Sequence, residues 1–202
     1  MVMPAIHRRW MPEEVRRLND ECPSWPRYEL IDGELLVTPS PGHPHQLAIG
    51  ELHLLIAPYV DREGLGLTFL SPSDRTLEER SLTQPDLYVV RAGPGADAKA
   101  LVGSGSSGLL LTVEVISPSS VRIDRVTKRD FYMDAGVAEY WVVDLDARMV
   151  ERWTLTRNAP LVERATLTWQ PSAVSRALTI DLPRLFERIG EKSAWARAAL
   201  ER

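Results

Sequence analysis

The sequence predicts an α/β fold in which a central mixed sheet is flanked by helices, and three observations carry that prediction. Leu109 to Ile116 (LLLTVEVI) and Glu139 to Asp144 (EYWVVD) are short, nearly uniform apolar runs, the pattern of strands buried on both faces. A helical stretch, Arg122 to Ala135, lies between them and is stopped by Gly136. Upstream, an amphipathic helix alternates with further strand-like segments. At 202 residues the chain can bury one sizeable core. We therefore expect a single domain over 1–202, with a core of about 28–155 and an N-terminal helix, a C-terminal strand pair and a last helix as additions.

Taken in order, Pro12 to Asp20 (PEEVRRLND) reads as a short helix, with proline and acids in its first turn where the helix dipole favours them. Tyr28 to Val37 (YELIDGELLV) reads as a hairpin about Asp32-Gly33, a two-residue turn signature. That register sets Ile31 opposite Glu34 and Glu29 opposite Leu36, so both glutamates share one face. Acids on such a face are more often solvated than buried. Thr38 to His45 holds three prolines and a glycine and reads as a loop. It feeds an amphipathic helix over Gln46 to Val60, with His45 at its start.

Gly64 to Leu70 reads as a strand, as does Gln84 to Val90, whose proline is confined to its beginning. Arg91 to Gly108 is rich in Gly, Ala and Ser and reads as a flexible connection or lid. Met149 to Leu155 and Val162 to Trp169 read as a strand pair, and Leu182 to Leu200 as the last helix. Tyr140 and Trp141 are expected in the core or at a subunit contact.

Composition narrows the function. The hydrophobic share of 44% and charged share of 26% are those of an ordinary soluble protein. A net charge of −4 excludes a cationic coat for indiscriminate nucleic-acid binding, so contact with phosphates would need a local basic patch or metal ions. Cys22 is the only cysteine, which excludes an internal disulfide and a multi-cysteine zinc site. With no apolar run of membrane-spanning length, a reduced, cytoplasmic setting without membrane contact is expected.

Glu114 is the most informative residue. A carboxylate in a strand buried on both faces costs on the order of several kcal/mol unless a cation or a proton compensates it. Asp86, at the start of another strand, can converge with it on one hard divalent cation, Mg²⁺ or Mn²⁺, since the ligands are oxygens. Such an ion polarises phosphoryl oxygens and activates water, and Lys128 on the following helix could stabilise charge on a phosphate. Blander readings stand beside these. Asp86 could terminate its strand, Glu114 could pair with an arginine, and Lys128 could form a surface ion pair with Asp124, four residues earlier. Arg122, Arg125 and Arg129 read as solvated charges more readily than as a phosphate-tracking stripe, and His43 with His45 makes a poor zinc pair.

Six segments in order resemble one known family: YELIDGE (28–34), SPGHPH (40–45), QPDL (84–87), VEVISPSS (113–120), KRDFY (128–132) and GVAEYWVVD (136–144). They are similar to the Uma-two family of putative restriction endonucleases, in the PD-(D/E)XK nuclease superfamily. The resemblance covers most of residues 11–155 and implies a restriction-endonuclease-like fold and metal-dependent hydrolysis of DNA. It implies that Asp86, Glu114 and the backbone carbonyl of Val115 hold Mg²⁺ or Mn²⁺. Ile116 stands where the superfamily usually has its lysine, and Lys128 matches the helix lysine that replaces it in some members. Glu29 and His45 match family positions as accessory residues. DNA is the expected substrate, and a homodimer is compatible, since enzymes that cut both strands often pair. The alternative is a protein that keeps the nuclease fold for binding or regulation without catalysis.

Overall fold

The computed structural model describes residues 9–22, 24–93, 105 and 108–200. Helix α1 (Pro12–Glu21) precedes a hairpin of β1 (Arg27–Ile31) and β2 (Glu34–Thr38). Its turn has both central residues at positive φ, Asp32 at 50° and Gly33 at 81°, as a tight two-residue hairpin requires. The register is the expected one, with Glu29 opposite Leu36 and Ile31 opposite Glu34.

Helix α2 (His43–Arg62) follows. It begins earlier than the sequence suggested because Pro44 falls in its first turn, where a missing N–H costs nothing. His45 therefore stands on the first helical turn and not in the loop.

Six strands form the central sheet in the order β3-β4-β5-β6-β7-β8. They are β3 (Gly66–Leu70), β4 (Leu87–Arg91), β5 (Leu109–Val115), β6 (Glu139–Asp144), β7 (Met149–Thr154) and β8 (Leu161–Glu163). Only β5 and β6 run parallel, joined by a helical crossover. Gly66, at φ 153°, is required where it stands: a Cβ there would come within 1.9 Å of the Val90 carbonyl oxygen across the β3–β4 pair.

The crossover helix α3 is not regular. A π-helical stretch, Ile123–Lys128, runs directly into an α-helical one, Arg129–Asp134. The Tyr140 hydroxyl donates to the Asp124 carbonyl at 2.9 Å, so a side chain enters the helical ladder where it is wound wide.

Val162 to Trp169 is not one strand. The chain leaves the sheet after β8, and β9 (Thr166–Trp169) pairs instead with β10 (Leu178–Asp181) in a separate two-stranded unit. The amide of Leu182 donates to the Ala165 carbonyl at 3.0 Å and ties that break to the start of α4 (Leu182–Leu200).

Strand alternation divides the core. Leu87, Val89, Leu111, Val113, Val115, Trp141 and Val143 face α2 and α4. Tyr88, Tyr140 and Val142 face α3, with Phe131 and Tyr132. Both Tyr140 and Trp141 are fully buried, as expected. The Gly/Ser-rich connection expected over 91–108 lies mostly outside the described residues. Among the described residues, no helix is long and apolar enough to cross a membrane.

Candidate active site

Glu114 belongs to the alternate face of β5, the one that α3 covers, and this places it against Lys128. The Lys128 Nζ lies 2.9 Å from Glu114 Oε1, 3.0 Å from Glu29 Oε2 and 3.8 Å from Asp124 Oδ1. Lys128 and Asp124 are each 4% exposed, so their pair is a buried one and not the surface pair that helical spacing alone allows. Tyr132, one turn on, donates its hydroxyl to the same Glu114 oxygen at 3.3 Å.

Asp86 closes the other side. Its Oδ2 accepts the Val115 backbone N–H at 2.8 Å and lies 3.0 Å from His45 Nε2. That contact joins the entry to β4, the end of β5 and the first turn of α2 at one carboxylate. Glu29 is 2% exposed and accepts from the Gln84 amide (2.8 Å) and the Thr38 hydroxyl (3.0 Å), which fastens the hairpin over the site. Glu29, His45, Asp86, Glu114, Asp124 and Lys128 all line one cavity of about 210 Å³.

Four carboxylates in one cavity perturb one another. Burial pushes the Glu114 carboxyl well above the ordinary carboxylate range; Lys128 pulls it back, while Asp86, Asp124 and Glu29 add to the rise. Burial likewise raises Asp124, against the pull of Lys128 and a hydrogen bond from Ser120. Burial alone would lower the Lys128 ammonium, but Glu114, Glu29 and Asp124 outweigh it and hold Lys128 well above the ordinary lysine value. For His45, too, burial works downward and is outweighed by the Asp86 hydrogen bond and charge, so its pKa is raised.

The expected residues Asp86, Glu114, Lys128, Glu29 and His45, and the Val115 backbone, are thus brought together. Asp124 and Tyr132 belong to the same cluster, and sequence reasoning gave them no role in it. The signal was there: Asp124, Lys128, Phe131 and Tyr132 recur at helical spacing, so the aromatic pair that faces the sheet carries the two charges inward with it. The three arginines of this helix behave differently. Arg125 is paired with Asp144 and Glu151, both at 2.8 Å, and Arg129 lies over the Trp153 ring at 4.6 Å. Neither Arg125 nor Arg129 is simply solvated.

A hard divalent cation suits this donor set. The carboxylates that line the cavity offer oxygen ligands, the donor type such a cation takes. Among the described residues, no three His, Cys, Asp or Glu side chains form a ready-made metal cage. Mg²⁺ does not need one, because it is commonly held by one or two carboxylates with waters and substrate phosphates.

A mixed sheet whose parallel pair is crossed by a helix, with acids just before β4 and near the end of β5, has the architecture of a restriction-endonuclease-like fold. Residues 12–187 match the Uma2 family, described as a putative restriction endonuclease, and the chain belongs to that family. The crystal structure of a putative nuclease belonging to DUF820, from Anabaena variabilis ATCC 29413, is similar, with a TM-score of 0.66 and 18% identity. The match covers 81% of this chain and 92% of that one, and at this identity it shows the shared fold. A comparison with curated proteins finds no match.

Proposed function

We propose that the protein is a metal-dependent endonuclease that hydrolyses DNA phosphodiester bonds. The observation that carries this reading is the cavity itself, which Asp86 and Glu114 both line beside the buried Lys128. Asp86, Glu114 and the Val115 carbonyl would hold Mg²⁺ or Mn²⁺. When bound, the ion polarises a phosphoryl oxygen and lowers the pKa of a water molecule.

The chain's own groups supply the rest. Lys128, kept charged by Glu114 and Glu29, acts as a hydrogen-bond donor to the phosphate or to the attacking water, and not as a base. It takes the place of the lysine expected two residues after Glu114. That position, Ile116, is 9% exposed and packs into the apolar cluster beneath α3. Glu29 fixes the Lys128 ammonium from the hairpin side, and His45 fixes the Asp86 carboxylate from α2. Both are positioning residues.

The test is incubation with supercoiled and linear DNA in Mg²⁺ or Mn²⁺, beside Asp86→Ala and Glu114→Ala. Each substitution is expected to lower cleavage about 100-fold or more, the scale of losing a preorganised electrostatic contact. Cleavage persisting equally in both variants would sink the site. No cleavage and no metal binding by the native protein would favour a nuclease-fold binding or regulatory role.

A further inference from the structure

The cavity has two unlike parts. Its floor carries the acids and Lys128; its outer wall, contributed by the segment before β1, by β2 and by the loop after it, carries Trp25, Leu36, Val37, Pro39 and Pro41. Trp25 is 38% exposed and Val37 52% exposed, so this wall is open to solvent at the mouth. The Arg27 guanidinium lies over the Trp25 ring at 6.0 Å, which backs the indole and helps to fix its plane.

An exposed indole beside an apolar wall suits the flat aromatic part of a nucleotide. The floor, with four carboxylates and Lys128, would take the anionic part through the divalent cation of the proposed function. In a duplex the base faces are covered by their neighbours and unavailable to a side chain, whereas single strands offer every base a free π-face.

We propose that Trp25 and its apolar neighbours form a stacking platform for an unpaired nucleobase next to the scissile phosphate, so that single-stranded DNA is the preferred ligand of this cavity. The proposal rests on the phosphodiesterase reading for the role of the floor, and it adds the form in which the substrate enters.

Binding is measured by fluorescence anisotropy of a labelled single-stranded oligodeoxynucleotide, and of the same strand annealed to its complement. The protein is held with Ca²⁺, with native, Trp25→Ala and Trp25→Phe chains compared. The single strand is expected to bind more tightly than the duplex. Trp25→Ala should weaken single-strand binding about 10-fold, the scale of one lost base stack, and Trp25→Phe should restore most of it. Duplex binding should barely respond. Because Trp25 lies at the surface, the thermal midpoint of both variants should match that of the native chain, which separates lost stacking from lost folding.

Equal or tighter binding of the duplex, or single-strand binding indifferent to Trp25→Ala, overturns the proposal. The cleavage assay separates this failure from that of the parent reading. Duplex cleavage that needs Asp86 but ignores Trp25 would retain the nuclease and remove the platform. Trp25-dependent single-strand binding without any cleavage would retain the platform and remove the nuclease.

Discussion

Glu114 has a stability consequence as well as a chemical one. Its folded-state pKa is raised, chiefly by burial, so between the ordinary carboxylate value of about 4.3 and the raised one the folded state binds more protons than the unfolded state. Stability attributable to this group therefore falls as pH rises through that window. Glu114→Gln removes the charge but keeps an oxygen for Lys128 and Tyr132, and Lys128 retains Glu29 at 3.0 Å. In chelator, the stability difference between variant and native protein should move in the variant's favour as pH rises from about 4 to about 8, because only the native chain carries the raised carboxyl. Thermal unfolding across pH reads this directly, and a difference that does not change with pH would contradict the raised Glu114. Glu114 was legible in the sequence because a carboxylate in a uniformly apolar strand is costly. Glu29 was less so. Acids on a hairpin face are usually solvated, and its burial depends on the Gln84 amide arriving from 55 residues away. Its neighbours on that face, Ile31 and Leu36, were the available hint.

At the level of elements, the two faces of the sheet do different work. The face under α3 carries the charged cluster, while α2 and α4 seal the opposite face with apolar side chains. Phe186 of α4 is 6% exposed within the same cluster as Leu52 and Ile56 of α2. Phe186→Ala should cost about 3–5 kcal/mol, read by urea unfolding. Cleavage per folded molecule should be unchanged, because no residue of α4 lines the cavity. A loss of cleavage at full folding would mean that α4 supports the site more directly than this division allows. Elements with strong local signals were legible: the Asp32-Gly33 hairpin, the apolar strands β5 and β6, and α4 at Leu182–Leu200. The split of Val162 to Trp169 was not, because both halves have strand-like composition. The break is set by β10 arriving to pair with β9, a long-range event. The π-helical stretch of α3 was hidden for the same reason, since it depends on the Tyr140 hydroxyl from the next strand.

For the molecule as a whole, the site is a liability that a cation should convert into a gain. The metal-free chain holds Glu29, Asp86, Glu114 and Asp124 around one cavity, and two of these carboxyls are raised by burial and mutual repulsion. A divalent ion that binds only the folded state stabilises it by mass action, by about 2.7 kcal/mol at a concentration 100 times its Kd. For a chain of this size each kcal/mol moves the midpoint by roughly 2–4 °C, so saturating Mg²⁺ or Mn²⁺ should raise Tm by about 5–11 °C over chelator. Asp86→Asn and Glu114→Gln should each abolish most of that rise, while Phe186→Ala, destabilised at the far face, should keep it in full. This pattern distinguishes a specific site from a general ionic effect, which would shift all four proteins alike. A native Tm indifferent to both ions, in a protein that unfolds reversibly, would leave the acidic cluster to be compensated by protons and Lys128 alone, and the metal-dependent reading would fall with it.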